Sequence, residues 1–293
     1  MNQYLVVWLV LCLIWGSTWI FIKLGLDDWP PFTFAALRFL LAAMILWLII
    51  LIRRNKLPGA WRDWLMMAWL GFIAFTLNYG LVFWGESRIS SGLTAVLQAL
   101  IPAFGLLLAH HYLPNERITT AKLFGVALGI VGVAVIFSNQ MQVAGTSALL
   151  GSAAIVVSAL CVAYSNILVK VHCGHLDTPV LVAGQMTFGT VPLLAVGCIV
   201  EGSPLKLHWT PAITGSLLYL SIVGSVIAFM LYYWLVKKVA VTKTMLISLV
   251  TPIIALLLGW LVRGEGLTWR LALGSAAIMS GIGLIVLKRE RNV

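Results

Sequence analysis

The chain has 293 residues, of which 61% are apolar and only 10% are charged, and its mean hydropathy is +1.04. Soluble domains are roughly 45–50% apolar and about 25% charged, so this chain has too few charged side chains to cover a water-exposed surface. The composition excludes a soluble enzyme, a nucleic-acid-binding protein and an extracellular disulfide scaffold, despite a net charge of +10. It indicates a lipid bilayer as the solvent.

Apolar runs bounded by proline, glycine or charge predict ten transmembrane helices. Each run is long enough for a helix to cross about 30 Å of hydrocarbon. None alternates with the period of two that a membrane barrel requires. The predicted fold class is therefore an all-α integral membrane protein. Its spans are expected at residues 4–26, 32–52, 64–84, 91–112, 120–138, 148–169, 179–200, 212–235, 243–262 and 269–287.

Basic residues near the helix ends predict the orientation, because cytoplasmic loops carry an excess of lysine and arginine. With the N-terminus in the cytoplasm, five basic residues fall outside and thirteen fall inside. This distribution favours two cytoplasmic termini. It agrees with an even number of spans, which places both termini on the same side of the membrane. The outer five are Lys23, Arg88, Lys206, Arg263 and Arg270, and the inner thirteen are Arg53, Arg54, Lys56, Arg62, Arg117, Lys122, Lys170, Lys237, Lys238, Lys243, Lys288, Arg289 and Arg291.

The chain also matches itself at an offset of about 150 residues, at which Trp84 aligns with Trp234 and Pro102 with Pro252. This predicts two repeats of five helices, at residues 4–138 (spans 1–5) and 148–287 (spans 6–10). Because five is odd, the second repeat enters the membrane from the opposite side. Inverted repeats place a substrate site between the halves and allow alternating access. Duplication for stability alone is the other interpretation.

Five short motifs carry a resemblance to a known family. Residues 14–18 (IWGST) lie in the first span, residues 30–31 (PP) open the second, and residues 37–39 (LRF) lie within it. Residues 115–119 (NERIT) follow the fourth span and residues 264–268 (GEGLT) precede the tenth. In these motifs the chain resembles EamA-type members of the drug/metabolite transporter superfamily, which are ten-helix carriers made of two inverted EamA repeats.

The resemblance implies a carrier of the bacterial inner (plasma) membrane that is embedded in the lipid bilayer and most often exports a small-molecule substrate. The family moves amino acids, other metabolites and drug-like compounds, so the substrate stays open. An importer of a similar solute is the alternative within this class. A membrane-embedded enzyme is the alternative from another class, but the sequence offers no clustered histidines or buried carboxylates for catalysis. We expect a transporter without catalytic residues.

Two prolines lie near the middle of equivalent spans, Pro102 in the fourth and Pro252 in the ninth. Each proline removes the hydrogen bond to the carbonyl four residues earlier, at Gln98 and at Ser248. Interrupted helices at matching positions of two repeats point to a transport site, and we expect these prolines to act as hinges. Ordinary helix bending is the other interpretation, since proline is frequent in membrane helices.

Polar side chains within the spans are candidate substrate-binding residues, because amides and hydroxyls facing lipid are costly and tend to face protein or a wet cavity. Hydrogen bonds that only hold the helices together are the alternative account. The candidates of this kind are Thr18, Asn78, Tyr79, Gln98, Tyr164, Asn166, Gln185, Tyr232 and Ser248.

Arg38 and two tryptophans complete the candidate site. Arg38 lies roughly 9 Å along its helix from the outer end. It either snorkels to the headgroups or faces the cavity and attracts an anionic group, and the family motif favours the cavity. Trp15 and Trp19 are one helical turn apart and share a face with Thr18. That face suits an apolar or aromatic substrate, with core packing as the alternative.

The source of energy is less well defined by the sequence. No glycine-rich phosphate loop is present, so neither ATP nor another cofactor is expected. The nine acidic residues fall in loops or at helix ends, so none decides for proton coupling, which usually relies on an intramembrane carboxylate or histidine. Secondary and facilitative transport both remain open. The loop around His172, Cys173 and His175 lacks further ligands at a zinc-finger spacing, and no metal site is predicted.

Overall fold

The protein is described by a computed structural model. It covers residues 3–112, 145–204, 207–239, 247–266 and 268–287, together with Thr244 and isolated positions between 120 and 135. The motif at 115–119 lies outside the described residues, as does most of the fifth predicted span. The described part is helical and contains no strand.

Helices in the first predicted repeat are separated by short loops, by a π-helical segment that we call π1, and by one break. The π segment interrupts the third predicted span, and the break interrupts the fourth. In chain order these elements are α1 (Gln3–Gly25), α2 (Pro31–Arg53), α3 (Trp61–Gly71), π1 (Phe72–Leu77), α4 (Asn78–Glu86), α5 (Ser91–Gln98) and α6 (Ile101–Tyr112).

The second predicted repeat has a related series of elements, with a second π-helical segment, π2, in its third helix. Its π segment again separates two α-helices of one span. In chain order these elements are α7 (Gly145–His172), α8 (Thr178–Val200), α9 (Pro211–Leu218), π2 (Tyr219–Ile227), α10 (Ala228–Lys238), α11 (Ile247–Arg263) and α12 (Trp269–Leu287).

Seven helical stretches among the described residues are long and apolar enough to cross a membrane, and Val250–Arg263 is a shorter apolar helix. The predicted class of helical membrane protein is therefore supported. The count of ten spans and their arrangement in two inverted repeats remain predictions. The seven stretches are Gln3–Gly25, Pro31–Arg53, Trp61–Glu86, Ser91–Tyr112, Gly145–His172, Thr178–Val200 and Pro211–Lys238.

Short loops fix which helix ends lie together. Helix α1 leads through five residues into the start of α2, whereas α7 leads through five residues into the start of α8. The side-chain amide of Asn55, just after α2, donates to the Asp177 carboxylate, just before α8, at 3.4 Å. Helices α1 and α7 therefore end at opposite ends of the bundle. We call these the Lys23 end and the Lys170 end, after the lysine in the last turn of each helix.

The start of α2 is capped by a residue distant in the chain. Pro31 occupies its first position, where a missing N–H costs nothing. The Glu201 carboxylate, which follows α8, accepts hydrogen bonds from the backbone N–H groups of Phe32 and Thr33, both at 2.8 Å, and from the Thr33 hydroxyl at 2.7 Å. An anion at a helix N-terminus is favoured by the unpaired N–H groups there. This cap fixes the end of α8 against the start of α2.

Small residues bring α8 close to its neighbours. A Cβ atom at Gly197 would lie 2.9 Å from the Thr33 hydroxyl oxygen, and one at Gly189 would lie 2.5 Å from the Phe75 Cβ. Phe75 in turn packs edge-on against Phe39 of α2, with ring centroids 5.0 Å apart. Helices α2 and α8 and the segment π1 thus form one closely packed block, and the cavity described below lies beside it.

Candidate functional site

A partly open cavity lies among α1, α2, α4, the junction of α5 and α6, α7, α10 and α11, with about 830 Å³ of space free of protein atoms when its open part is included. Both predicted repeats contribute to its wall. Ten of the twelve candidate binding residues line it, namely Trp15, Thr18, Trp19, Arg38, Asn78, Tyr79, Gln98, Asn166, Tyr232 and Ser248.

The other two candidates lie elsewhere. Gln185 is fully buried in α8, and its side-chain oxygen accepts a hydrogen bond from the Tyr233 hydroxyl at 2.8 Å. The ring of Tyr164 packs against Tyr112, with centroids 5.9 Å apart. These two polar side chains find partners between helices instead of facing the cavity, which is the alternative that the sequence left open.

Eight further residues line the cavity, and sequence reasoning did not select them as site residues. Repeat symmetry is the signal that finds most of them, because residues at equivalent repeat positions line the cavity together. Tyr79 is equivalent to Phe229, and Gln98 to Ser248. The further equivalent pairs are Trp15 with Val162, Trp19 with Asn166, Val82 with Tyr232, and Ile101 with Thr251, while Ile22, Thr244 and Ile247 line it without a lining partner.

Aromatic rings form much of one wall. The Trp15 ring lies 5.0 Å from that of Tyr232 and 5.7 Å from that of Phe229, measured between centroids. Phe229 also contacts Tyr79 at 6.4 Å. Contacting rings at such distances favour each other by about 0.5–1.5 kcal/mol beyond the burial of their surface. The wall is thus held in shape by contacts among its own rings, which are tilted or edge-on to one another.

Arg38 faces inward and is 1% exposed. Its Nε atom donates to the Ser225 hydroxyl at 2.9 Å and its Nη2 atom to the Gly224 carbonyl at 3.2 Å, both in π2. The guanidinium also lies over the Tyr79 ring, 5.2 Å from its centroid. Arg38 therefore ties α2 to π2 across the seam between the predicted repeats. Its Nη1 atom, however, donates to no described residue.

Three further cavity residues carry buried polar atoms that have no partner among the described residues. They are the indole N–H groups of Trp15 and Trp19 and the side-chain oxygen of Asn78. The other end of the Asn78 amide is occupied, since its nitrogen donates to the Ala74 carbonyl at 3.1 Å. Buried polar groups without partners are costly. With Arg38 Nη1, the residues that line the cavity thus carry three buried donors and one buried acceptor that have no partner among the described residues.

The two prolines behave differently. Helix α5 ends at Gln98 and α6 starts at Ile101, so the helix is interrupted just before Pro102. Helix α11 continues through Pro252 without a break. There the Thr251 hydroxyl donates to the carbonyl of Ser248, to which Pro252 has no N–H group to donate, at 3.5 Å. A side-chain hydroxyl of this kind can compensate for the lost backbone bond, which explains why matching prolines have unequal effects.

Contacts at the Lys23 end join the two predicted repeats. The Glu265 carboxylate accepts hydrogen bonds from the backbone N–H groups of Ser91, at 3.0 Å, and Gly92, at 3.2 Å, and from the Ser91 hydroxyl. Arg263 in the last turn of α11 forms an ion pair with Asp27 after α1. These contacts hold the end of α11 against the start of α5 and against the loop that follows α1.

The loop with His172, Cys173 and His175 does not assemble a metal site, and no such cluster occurs in the ranges the structure describes. His175 instead pairs with Asp63 at 3.0 Å. Burial raises the pKa of the Cys173 thiol to about 11, so this thiol is poorly reactive at neutral pH.

An apolar helical bundle around a cavity lined by aromatic and polar side chains defines a multi-span membrane protein with room for a small solute. The EamA-like transporter family matches the chain twice, over residues 3–138 and 149–287. The chain belongs to this family, and the resemblance seen in the sequence is confirmed.

Known proteins are similar to the chain in sequence and in fold. It is 31% identical to the uncharacterized transporter YoaV of Bacillus subtilis (strain 168), over 92% of both chains. It is 31% identical to the uncharacterized inner membrane transporter YedA of Escherichia coli (strain K12), over 90% of this chain and 85% of that one. A probable amino-acid metabolite efflux pump of the same strain is 27% identical over 94% and 91%. One crystal structure, 18% identical, shares the fold with a TM-score of 0.72 over 99% of both chains.

Proposed function

We propose that the chain is a secondary or facilitative transporter of the bacterial inner membrane that exports small metabolites, such as amino acids or drug-like compounds, by alternating access. Its ten helices form two inverted five-helix repeats at 4–138 and 148–287. The observation that carries the proposal is the cavity between the predicted repeats, with its unpaired donors and acceptor. Import of a similar solute is the competing direction.

Equivalent positions around the cavity support the two-repeat arrangement. Six pairs of residues at matching repeat positions line it, among them Gln98 with Ser248 and Trp19 with Asn166. The lysines at the ends of the equivalent helices α1 and α7 make the same contact: Lys23 donates to the Glu86 carbonyl at 2.7 Å and Lys170 to the Val236 carbonyl at 3.0 Å. These lysines lie at opposite ends of the bundle, which supports repeats related by inversion.

The unpaired polar atoms support a substrate with a carboxylate. Arg38 Nη1 and the indole N–H groups of Trp15 and Trp19 are donors, which a carboxylate accepts, and Arg38 adds a favourable charge. The Asn78 oxygen is an acceptor suited to an ammonium or hydroxyl group. The aromatic wall around Phe229 suits an apolar side chain. An apolar or aromatic amino acid satisfies all of these groups, and one relative is named an amino-acid metabolite efflux pump.

Charge supports an orientation with both termini in the cytoplasm. In this orientation the Lys170 end, with its lysine- and arginine-rich loops, faces the cytoplasm, as basic loops do. The Lys23 end faces outward. Its contacts between Glu265 and the start of α5 then close the outer side of the cavity, and their opening releases an exported solute.

A substrate screen tests the proposal. Cells that overproduce the protein are challenged with toxic amino acids and analogues, and candidate solutes are then measured in proteoliposomes by exchange of labelled for unlabelled compound. We expect survival on at least one carboxylate-bearing compound and exchange of the same compound by the purified protein. Exchange of no compound in the screen would contradict the proposal, and uptake that sensitises the cells would support the importer.

A further inference from the structure

Glu86 is a fully buried carboxyl group at the Lys23 end of the cavity. It is the last residue of α4 and has an exposed fraction of 0%. Val82 and Tyr79, which line the cavity, precede it by four and seven residues and therefore share its helix face. Although its position at a helix end is typical of an exposed acid, the packing around it excludes solvent.

Neither carboxyl oxygen of Glu86 accepts a hydrogen bond from a described residue. The two other glutamates at this end differ, because Glu201 caps α2 and Glu265 caps α5, each with three donors. Burying an ionised carboxylate without donors is very unfavourable, and such a group takes up a proton instead. The geometry thus sets Glu86 apart as the buried carboxyl that the closed end leaves without partners.

The neighbouring lysine does not serve as its partner. The Lys23 Nζ atom donates to the backbone carbonyls of Glu86, at 2.7 Å, and Ile89, at 2.6 Å, and so holds α1 against the end of α4. Lys170 makes the equivalent contact to Val236, where no carboxyl group is present. The lysine contact to the backbone therefore needs no acidic side chain at this position.

Opening of the Lys23 end changes the surroundings of Glu86. Separation of α11 from α5 removes the negative charge of Glu265 and admits water, and both changes favour the ionised form beside Lys23. The neighbouring helices α5 and α7 carry no charged side chain at this end. The charged groups that face Glu86 are Lys23, Arg38 and Glu265, and those that face Lys23 in addition are Arg263 and Asp27.

We propose that Glu86 is a proton-binding site linked to the gate at the Lys23 end, protonated while this end is closed and ionised when it is open. Closing then takes up one proton and opening releases it, so raising the pH favours the open form. The inference rests on the proposed alternation between two ends, and it adds a titrating group to a carrier whose coupling the sequence left open.

Infrared spectroscopy of the purified protein tests the proton directly and needs no substrate. We expect the carbonyl band of a protonated carboxyl group at neutral pH in the wild-type protein and its loss in Glu86→Gln, which has the shape of the protonated acid. Glu201→Gln is the matched control, since its carboxylate has three donors and is expected to contribute no such band. Identical spectra for the wild-type protein and Glu86→Gln would overturn the proposal.

Cysteine labelling tests the link to the gate. Thr94→Cys places a thiol at a fully buried position of α5 near this end, and its labelling by a membrane-impermeant maleimide reports opening. At each pH, the labelling rate of Thr94→Cys in a protein that keeps Glu86 is divided by its rate in a protein that also carries Glu86→Gln. The effect of thiol ionisation on the labelling rate is the same in both proteins and cancels. We expect this ratio to rise with pH, by up to about tenfold per unit for one linked proton.

Each outcome bears on a different claim. A ratio that does not change with pH overturns the role of Glu86. Absence of labelling in both proteins at every pH, with the infrared band present, contradicts alternating access and therefore the proposed function. If the ratio of labelling rates still rises with pH when both proteins also carry Glu201→Gln, the result supports the assignment of the proton to Glu86.

Discussion

Arg38 combines an anchoring and a binding geometry in one side chain. Its Nε and Nη2 atoms donate to π2, while Nη1 is buried and has no partner among the described residues. Removing the charge in Arg38→Gln is expected to slow exchange of a carboxylate substrate roughly 10- to 100-fold, because a hydrogen bond to a charged group contributes about 1.5–3 kcal/mol. Exchange of the matching amide should change far less, as measured in proteoliposomes.

A control separates the two roles of Arg38. Ser225→Ala removes the partner of Nε but leaves the guanidinium in place. It is expected to affect the carboxylate and the amide alike, with a loss of about 1 kcal/mol in stability for one neutral hydrogen bond. Equal losses for both substrates in Arg38→Gln, with a lowered Tm, would show that Arg38 only holds π2.

The sequence predicted candidate site residues where a polar side chain lies within an apolar span. Asn78, Gln98 and Asn166 attract attention in an apolar sequence, and all three line the cavity. Gln185 carries the same signal but bonds to Tyr233, because two buried polar side chains can satisfy each other. Phe229 and Val162 carry no polar signal in a chain that is apolar on every face, and only their alignment with Tyr79 and Trp15 of the other predicted repeat points to them. The burial of Glu86 depends on packing between helices, which its position at a helix end does not reveal.

At the scale of elements, the break between α5 and α6 distinguishes two otherwise equivalent helices. Pro102→Ala restores the N–H that can bond to the Gln98 carbonyl and is expected to join α5 and α6 into one helix. Straightening would move Gln98 and Ile101, which line the cavity, and we expect exchange to fall roughly tenfold, about 1.4 kcal/mol in the barrier.

Pro252→Ala is the matched control, because α11 is already continuous at this proline. We expect exchange to stay within about twofold of the wild-type protein, since the change adds one backbone bond to an existing helix. Exchange rates of both variants are compared in the same proteoliposome assay. Equal effects of the two substitutions would contradict a hinge that acts only at Pro102.

The sequence predicted helices and their approximate limits because apolar runs are bounded by proline, glycine and charge. It did not predict π1 or π2. Gly224 of π2 accepts a hydrogen bond from Arg38 of another helix, and a local pattern does not contain such a contact. The unequal effect of the two prolines is different, because the Thr251 hydroxyl lies next to Pro252 in the same helix. The caps that Glu201 and Glu265 provide are equally invisible locally, because each acid lies far along the chain from the helix it caps.

At the scale of the whole molecule, the two ends of the bundle should be accessible from opposite sides of the membrane. Gly266 lies at the Lys23 end and Gly59 at the Lys170 end; both are exposed, and a Cβ at either meets no atom within 4 Å. We expect Gly266→Cys to be labelled by an impermeant maleimide in intact cells, and Gly59→Cys only after permeabilisation. The unsubstituted protein gives the background.

Labelling of Gly59→Cys in intact cells, with protection of Gly266→Cys, would reverse the orientation proposed from the basic residues. Labelling of both from outside would contradict the assignment of the loops to two ends. Gly174→Cys, after α7, provides a second position at the Lys170 end with open space around it, and we expect it to match Gly59→Cys.

The π segments change the direction in which side chains point along the spans that contain them. A π turn closes its hydrogen bonds over one more residue than an α turn does, so the side chains beyond it are rotated relative to those before it. Residues of α3 and α4 can thereby present different faces to α8 and to the cavity within one span. Deleting a single residue of π1 would turn Asn78 and Tyr79 by about 100°. The wide turns thus set which side chains a passing solute meets.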